Sequence, residues 1–387
     1  MFSLDGMEAK YTLYTACKRS AFFTGVPSDT GLSILEISAT AKDAQEFMII
    51  DPSHAAAHRM SLVIALLGAL FGCAQETGVS DIAVSSHCKE IPRPANAKLP
   101  LATASDAWYQ VYKTAPDTYA IVEPYHYQET ISHLIIGAER ALLFDTGSGF
   151  QPIRPVVERI TSLPVTVLNS HTHYDHVGSN AEFSSILAID TEYTRANMAG
   201  FSHDRIASET DPATFCPELP KDADPETFFT RAWKATGFVT DGELLDLGNR
   251  TLQVLHVPGH TPDALALLDA DNGLLFTGDS YYDAPIWLFV PETSLDAYAS
   301  SISRLVRAES EVRYLLGAHN AARVDAGALA RVESAFGKLA SGNSVPVTEE
   351  DGILSFDIDG VEFVTAEQVL QRRPADPGKG GSGLDGW

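Results

Sequence analysis

From residue 108 onward, apolar and polar positions follow one another in short runs. Segments 108–113, 118–122 and 131–136 are rich in β-branched and aromatic residues, and 141–145 is a further apolar run halted by Thr146 and Gly147. Each reads as a strand. The spacing becomes helical at 153–161 and returns to a strand at 165–169. Short helices over 178–183 and 191–198 flank a strand at 186–190. Residues 201–242 are acidic, weakly periodic and broken by Pro212, Pro217, Pro220 and Pro225, which predicts an insertion able to act as a lid. Strands resume at 244–247, 251–257, 264–269 and 273–277, with Asp271-Asn272-Gly273 as a hairpin turn. An amphipathic helix at 295–307, a strand at 312–316 and a helix at 326–339 follow. Strand runs with interposed helices predict a layered α/β domain over 101–370. A Gly-rich flexible tail, 371–387, ends the chain.

Upstream of that domain lies one long apolar run, 60–73, ending at Cys73. A helix that crosses a bilayer needs about 20 apolar residues, so this run is too short to span. It has the length of the apolar stretch of an export signal and ends in small residues. Leu70-Phe71-Gly72-Cys73 is similar to a bacterial lipobox, with Cys73 as the lipid-anchored residue. A signal stands at the start of a chain, so translation from Met48 or Met60 is expected, with residues 1–59 an upstream extension. Residues 74–100, polar and carrying Pro92, Pro94 and Pro100, then read as a tether. These features place the protein in a bacterial envelope: exported, periplasmic or lipid-anchored. The competing reading makes 60–73 a buried helix of a small N-terminal subdomain.

The chain has 27 Lys+Arg against 51 Asp+Glu, a formal net charge of -24. No cationic cluster interrupts the acidic excess. A nucleic-acid partner, which needs clustered Lys and Arg against phosphates, is excluded on that ground. Hydrophobic residues make up 45% and charged residues 20% of the 387, which rules out fibrous or wholly disordered classes. Cysteines at 17, 73, 88 and 216 are too scattered for a disulfide scaffold, and Cys88 beside His87 reads as a free thiol.

The chemistry concentrates after the strand at 165–169, in Ser170-His171-Thr172-His173-Tyr174-Asp175-His176. In extended backbone, residues i and i+2 project to one side, so His171 and His173 can hold one metal together. Asp175 and His176 follow as the chain turns. Imidazole and carboxylate suit Zn²⁺, and also iron, manganese or cobalt. Further donors stand at strand ends: Asp145 after Leu143-Phe144, His260 in Pro258-Gly259-His260-Thr261, Asp279 after Thr277-Gly278, and His319 after Gly317-Ala318.

This ordered set closely resembles the metallo-β-lactamase superfamily over roughly residues 110–320. The resemblance implies a four-layer αβ/βα sandwich of class α/β. It also implies two divalent metal ions, expected to be Zn²⁺. His171, His173 and His260 would bind the first metal, Asp175, His176 and His319 the second, and Asp279 would bridge them. Asp145 would hydrogen-bond the ligand loop. The bridging Asp279 points to the branch holding glyoxalase II, acyl-homoserine lactone lactonases and acyl-CoA thioesterases. One departure is local: glyoxalase II-like sequences continue Pro-Gly after the Gly-His-Thr, and this chain has Pro262-Asp263.

The implied enzyme is a metal-dependent hydrolase in which a metal-held hydroxide attacks a carbonyl, with Asp175 or Asp279 moving the proton. Gly147-Ser148-Gly149 lacks the context of a nucleophile elbow. Tyr282 stands three residues after Asp279, an offset at which the lactonases carry a substrate-contacting tyrosine; Tyr281 is the neighbouring candidate. Trp287, Leu288 and Phe289 offer apolar surface for an acyl or alkyl part, while cations for a CoA or glutathione anion are sparse. The expected substrate is therefore a small molecule: a lactone or carboxylic ester with an apolar part. Thioesters and β-lactams are the alternatives within hydrolysis. Persulfide dioxygenation on a single iron is the alternative of another class. His256, His133 and His203 read as packing residues, and His126 as a residue of a loop beside the site.

Overall fold

The structure is a computed structural model describing residues 86–216, 226–350 and 352–372. The expected export segment, Cys73 and the tail from 373 onward lie outside the described residues. Seven strands form the first sheet in sequence order: β1 (Gln110–Ala115), β2 (Thr118–Val122), β3 (Ile131–Ile136), β4 (Ala141–Phe144), β5 (Val165–Leu168), β6 (Ile186–Ile189) and β7 (Gly237–Val239). β1 to β4 are antiparallel, and β4 to β7 run parallel. The parallel half is joined by α1 (Arg154–Ile160), α2 (Tyr174–Val177) and α3 (Glu192–Asn197).

The second sheet has the order β14-β13-β11-β10-β9-β8. Its strands are β8 (Leu244–Asp246), β9 (Thr251–His256), β10 (Leu265–Asp269), β11 (Leu274–Gly278), β13 (Tyr314–Gly317) and β14 (Val324–Asp325). Between β11 and β13, which pair in parallel, run β12 (Ile286–Leu288) and α5 (Leu295–Glu309); α4 (His203–Ile206) belongs to the segment before β7. A third, four-stranded sheet joins β12 to β17 (Val361–Ala366), β16 (Ile353–Ile358) and β15 (Thr348–Glu350). It packs beside α6 (Leu329–Ala340), where Phe336 and Phe363 meet edge to face, and α7 (Glu367–Gln371) follows.

Period-two alternation builds the layers. On the first sheet Ile135, Leu142, Phe144 and Leu168 face Val254, Leu265, Leu267, Leu274, Phe276 and Leu316 of the second, forming the inter-sheet core. Their neighbours Leu134, Leu143 and Val167 face outward onto Val156 and Val157 of α1. On the second sheet Leu255, Ala266, Leu275 and Leu315 face outward onto Ile302 and Leu305 of α5 and Val332 and Phe336 of α6. Helix, sheet, sheet and helix thus form the four layers of a metallo-β-lactamase fold.

Three expectations change. Residues 86–100 are packed against the domain rather than forming a free tether. Asn96 is buried and joins the backbone of Asn320 and Ala322, and Arg93 pairs with buried Glu129. Cys88 is bonded to Cys216, 128 residues away, rather than being a free thiol. The described part of 201–242 is built into the domain rather than standing apart as an insertion: Phe201, Ile206, Phe215 and Trp233 join the outer core of the first sheet, and Gly237–Val239 forms its last strand.

Candidate metal centre

Parallel pairing of β4 with β5, and of β11 with β13, brings the C-terminal ends of these strands to one edge of the sandwich. Asp145, His171, Asp279 and His319 all stand just beyond those ends. Two backbone bonds tie the sheets together there: Leu265 N–H donates to Ser170 (2.6 Å) and Ile131 N–H to Ala318 (2.7 Å). His260 arrives from the turn after β9. Gly259, at φ +148, makes that turn possible, because a Cβ there would lie 2.4 Å from Tyr298 Cα of α5.

The seven expected ligands converge in two groups. Nε2 of His171 lies 2.9 Å from Nδ1 of His173, and Nε2 of His260 lies 3.2 and 3.1 Å from these two atoms. Zinc–nitrogen bonds of about 2.0–2.1 Å at tetrahedral angles separate ligand atoms by about 3.3 Å, so this spacing suits one ion. In the second group His176 Nε2 lies 3.4 Å, and His319 Nε2 3.7 Å, from an Asp175 carboxylate oxygen. Asp279 stands between. Its Oδ2 is 3.5 Å from His260 Nε2 and 4.0 Å from His171 Nε2, while its Oδ1 is 3.6 Å from His176 Nε2 and 3.2 Å from His319 Nε2.

Two buried polar atoms in this centre, His176 Nε2 and Asp279 Oδ1, make no hydrogen bond. A buried polar atom without a partner costs roughly 1–3 kcal/mol, and a cation between them would satisfy both. The donor set therefore fits two divalent ions, and His/Asp clusters of this kind accord with a dinuclear metal site.

Outer contacts aim the rings. His176 Nδ1 meets Asp145 Oδ2 at 3.0 Å, His260 Nδ1 meets the Trp287 carbonyl at 2.7 Å, and His319 Nδ1 meets the Gln128 carbonyl at 2.6 Å. A ring whose outer N–H is so engaged presents its other nitrogen as a lone pair. Asp145 adopts φ +69, a conformation Asp tolerates better than most residues, and its Oδ1 also accepts the Ser170 N–H at 2.6 Å. Ser170 Oγ contacts Nδ1 of His171 at 3.1 Å.

The two groups differ electrostatically. Burial, reinforced by neighbouring histidines, holds His171 well below the ordinary imidazole range and His173 at about 3. His260 is likewise lowered by burial. Burial also opposes charge on His176 and His319, but the carboxylates beside them hold both above the usual value. Burial works against ionisation of Asp279, yet His319, His176 and His171 keep it well below the usual carboxylate range. The first group presents neutral rings, and the second is ion-paired.

Tyr282, not Tyr281, belongs to the centre. Its ring lies edge-on to His319 with centroids 4.9 Å apart, and its hydroxyl accepts the Trp287 N–H at 3.3 Å. Tyr281 is packed in the core against α5 and α6. His256, His133 and His203 bond the carbonyls of Pro262, Gly317 and Phe228, as packing residues do. His126 contacts the Glu209 carbonyl and stacks among Tyr127, Phe150 and Phe215, outside both groups.

Sequence reasoning assigned no role to Asp263, to Ser170, or to the carbonyls of Gln128 and Trp287. It also passed over Glu123, a buried carboxyl beside Gly147 that accepts from Trp108 Nε1 and the Ser148 N–H. Burial pushes Glu123 up to about 7.

Residues 130–319 match the metallo-beta-lactamase superfamily. The chain belongs to that superfamily. It is 26% identical over 189 residues to the acyl-coenzyme A thioesterase MBLAC2 of Homo sapiens, a match covering 45% of this chain. The chain spans 66% of the length of that relative. It is 23% identical over 166 residues to the hydroxyacylglutathione hydrolase GloC of Haemophilus influenzae, covering 41% of this chain and 70% of that one. Among solved structures, a metallo-beta-lactamase from Pontibacter korlensis aligns with a TM-score of 0.44 at 17% identity, over 59% of this chain and 99% of that one.

Proposed function

We propose that the chain is a dinuclear zinc hydrolase that cleaves acyl esters with an apolar part, thioesters first. The observation that carries the proposal is Asp279, one carboxylate facing two complete donor groups. His171 Nε2, His173 Nδ1 and His260 Nε2 would hold one ion, Asp175, His176 and His319 would hold the other, and Asp279 stands where it would reach both. Bound there, the pair supplies a water that ionises near neutral pH and a Lewis acid for the carbonyl oxygen.

The chain's own residues do the rest. Asp175, whose carboxylate is kept ionised by His176 and His319 against burial, accepts a proton on the carboxylate oxygen not turned to those rings. Tyr282 keeps its proton, because burial raises its pKa well above the ordinary phenol value. Its hydroxyl donates toward the substrate oxygen or leaving group. Trp287 and Phe289, whose rings meet 5.2 Å apart, offer half-buried apolar surface for the acyl part. The thioester preference is supported by relatives named as an acyl-coenzyme A thioesterase and hydroxyacylglutathione hydrolases. A second reading, lactones or oxygen esters, is favoured by Tyr282 beside His319.

The test is a panel of acyl-CoA and glutathione thioesters, lactones and aryl esters on metal-stripped and zinc-loaded protein. Hydrolysis should require zinc, at two ions per chain. Asp279→Ala should lose at least one ion and lower kcat/KM by 10²-fold or more, about 2.7 kcal/mol. Two ions and full rate in that variant defeat the dinuclear reading. Turnover of lactones with none of thioesters moves the assignment to the second.

A further inference from the structure

We propose that Asp263 is a positioning residue that locks the first three metal-binding histidines into one geometry through a clasp of three threonine hydroxyls. The inference rests on the metal centre proposed above and deepens it.

Thr172 lies between His171 and His173, and its side chain turns to Asp263 instead of joining the ring nitrogens of the two histidines. Its hydroxyl donates to Asp263 Oδ2 at 2.6 Å. Thr261, directly after His260, donates to Asp263 Oδ1 at 2.7 Å. Thr194, in the first turn of α3, donates to Oδ2 at 3.1 Å. Asp263 is 1% exposed, and Thr172, Thr194 and Thr261 are buried with it. Asn197, from the same helix, donates its amide to the Thr172 hydroxyl at 3.1 Å and so leaves that hydroxyl's proton for Asp263.

The consequence is geometric. His171 and His173 come from the first sheet, His260 from the second, and their ring nitrogens must stay about 3 Å apart. One carboxylate binds the residue between the first two and the residue after the third. α3 closes the assembly from outside. Asp263 touches none of the six ring nitrogens; it fixes the backbone that carries them. A carboxylate receiving three hydroxyl bonds makes charge-assisted contacts, roughly twice as strong as neutral ones. A glycine at 263 would leave three buried hydroxyls without their acceptor. Misplacement of a metal ligand by a weakened support lowers metal affinity roughly 10–100-fold.

The experiment measures zinc affinity by chelator competition on the full chain, for wild type, Asp263→Ala, Asp263→Asn and Thr172→Val. Amide exchange in 170–177 and 257–264 is followed on the metal-free proteins. Asp263→Ala should weaken zinc binding roughly 10–100-fold, lower kcat with KM little changed, and speed exchange in both segments together. Asp263→Asn, which keeps one acceptor oxygen, should recover part of each effect. Thr172→Val, nearly isosteric, should weaken zinc in the same direction and add little on top of Asp263→Ala. A purely structural role would lower the melting temperature while leaving the zinc affinity of the folded protein unchanged; that result overturns the proposal, as does faster exchange in only one segment. A wild type that binds no zinc overturns this and the proposed function together. A wild type that binds zinc, with Asp263→Ala and Thr172→Val both unaltered in zinc affinity, overturns the clasp alone.

Discussion

Tyr282 holds its hydroxyl where a single bond is already fixed. It accepts the Trp287 N–H and therefore has its own proton free to give. Trp287 in turn accepts from His260 Nδ1, so the tyrosine and a ligand share one anchor. Tyr282→Phe should lower kcat by roughly 10-fold or more with metal content unchanged; removal of one donor at developing charge costs about 10²–10³, and a nearby cation shares part of it. Metal analysis beside steady-state kinetics checks this, and an unchanged kcat removes Tyr282 from the chemistry. At this scale the centre was legible wherever a spacing carried meaning. His171, His173, Asp175 and His176 lie within six residues, directly after the strand end at Leu168 and into the turn of α2. The partners that aim them were not legible. Thr172 and Asp263 are 91 residues apart, and His319 and Gln128 are 191 apart. No local pattern marks such pairs, and a backbone carbonyl has no letter in the sequence. Asp263 registered only as a departure from glycine. Its role needs the three hydroxyls around it.

Length explains part of which elements were legible, though β16 and β17, six residues each, were also not read. β2 and β3 occupy the residues expected, 118–122 and 131–136, because runs of five and six residues rich in β-branched side chains leave little ambiguity. β7, β12 and β14 have only three, three and two residues, too few to show a period, and were not read. The helix expected at 178–183 is present as one short 3₁₀ turn, Asn180–Glu182, and is preceded by α2, whose turn is set by the ligand loop and not by apolar spacing. The segment 86–90 was taken as polar tether because its composition says nothing of a remote cysteine. Its disulfide closes a loop with a sequence separation of 128, for which the chain-entropy account gives up to about 5 kcal/mol. His87 Nε2 also lies 3.0 Å from Cys216 Sγ. Cys216→Ser, or a thiol reductant, should therefore lower stability by roughly 2–5 kcal/mol and speed amide exchange across 86–100. Zinc occupancy of the His/Asp groups should be unaltered, since neither cysteine belongs to them. Equal denaturation midpoints with and without reductant would show that the bond contributes nothing.

For the whole molecule the same disulfide bears on where the protein works. Bonds of this kind persist in oxidising compartments and are rare in a reducing cytosol. The chain independently carries an apolar run at 60–73 with the length of an export signal, and Cys73 in a lipobox-like setting. We propose that the protein is exported and held in or at a bacterial envelope. The proposal explains how residues 86–100 can be fastened to the domain: once outside, Cys88 meets Cys216 under conditions that keep them bonded. It also fits the formal charge of -24, which keeps a folded domain dispersed without drawing it to nucleic acid. In the native host, the mature protein should begin at or shortly after Cys73, and alkylation before reduction should leave Cys88 and Cys216 unlabelled. Peptide mass mapping of the host protein checks both at once. Intact residues 1–60 in that protein, together with two alkylated thiols, would place the enzyme in a reducing compartment and remove the export argument.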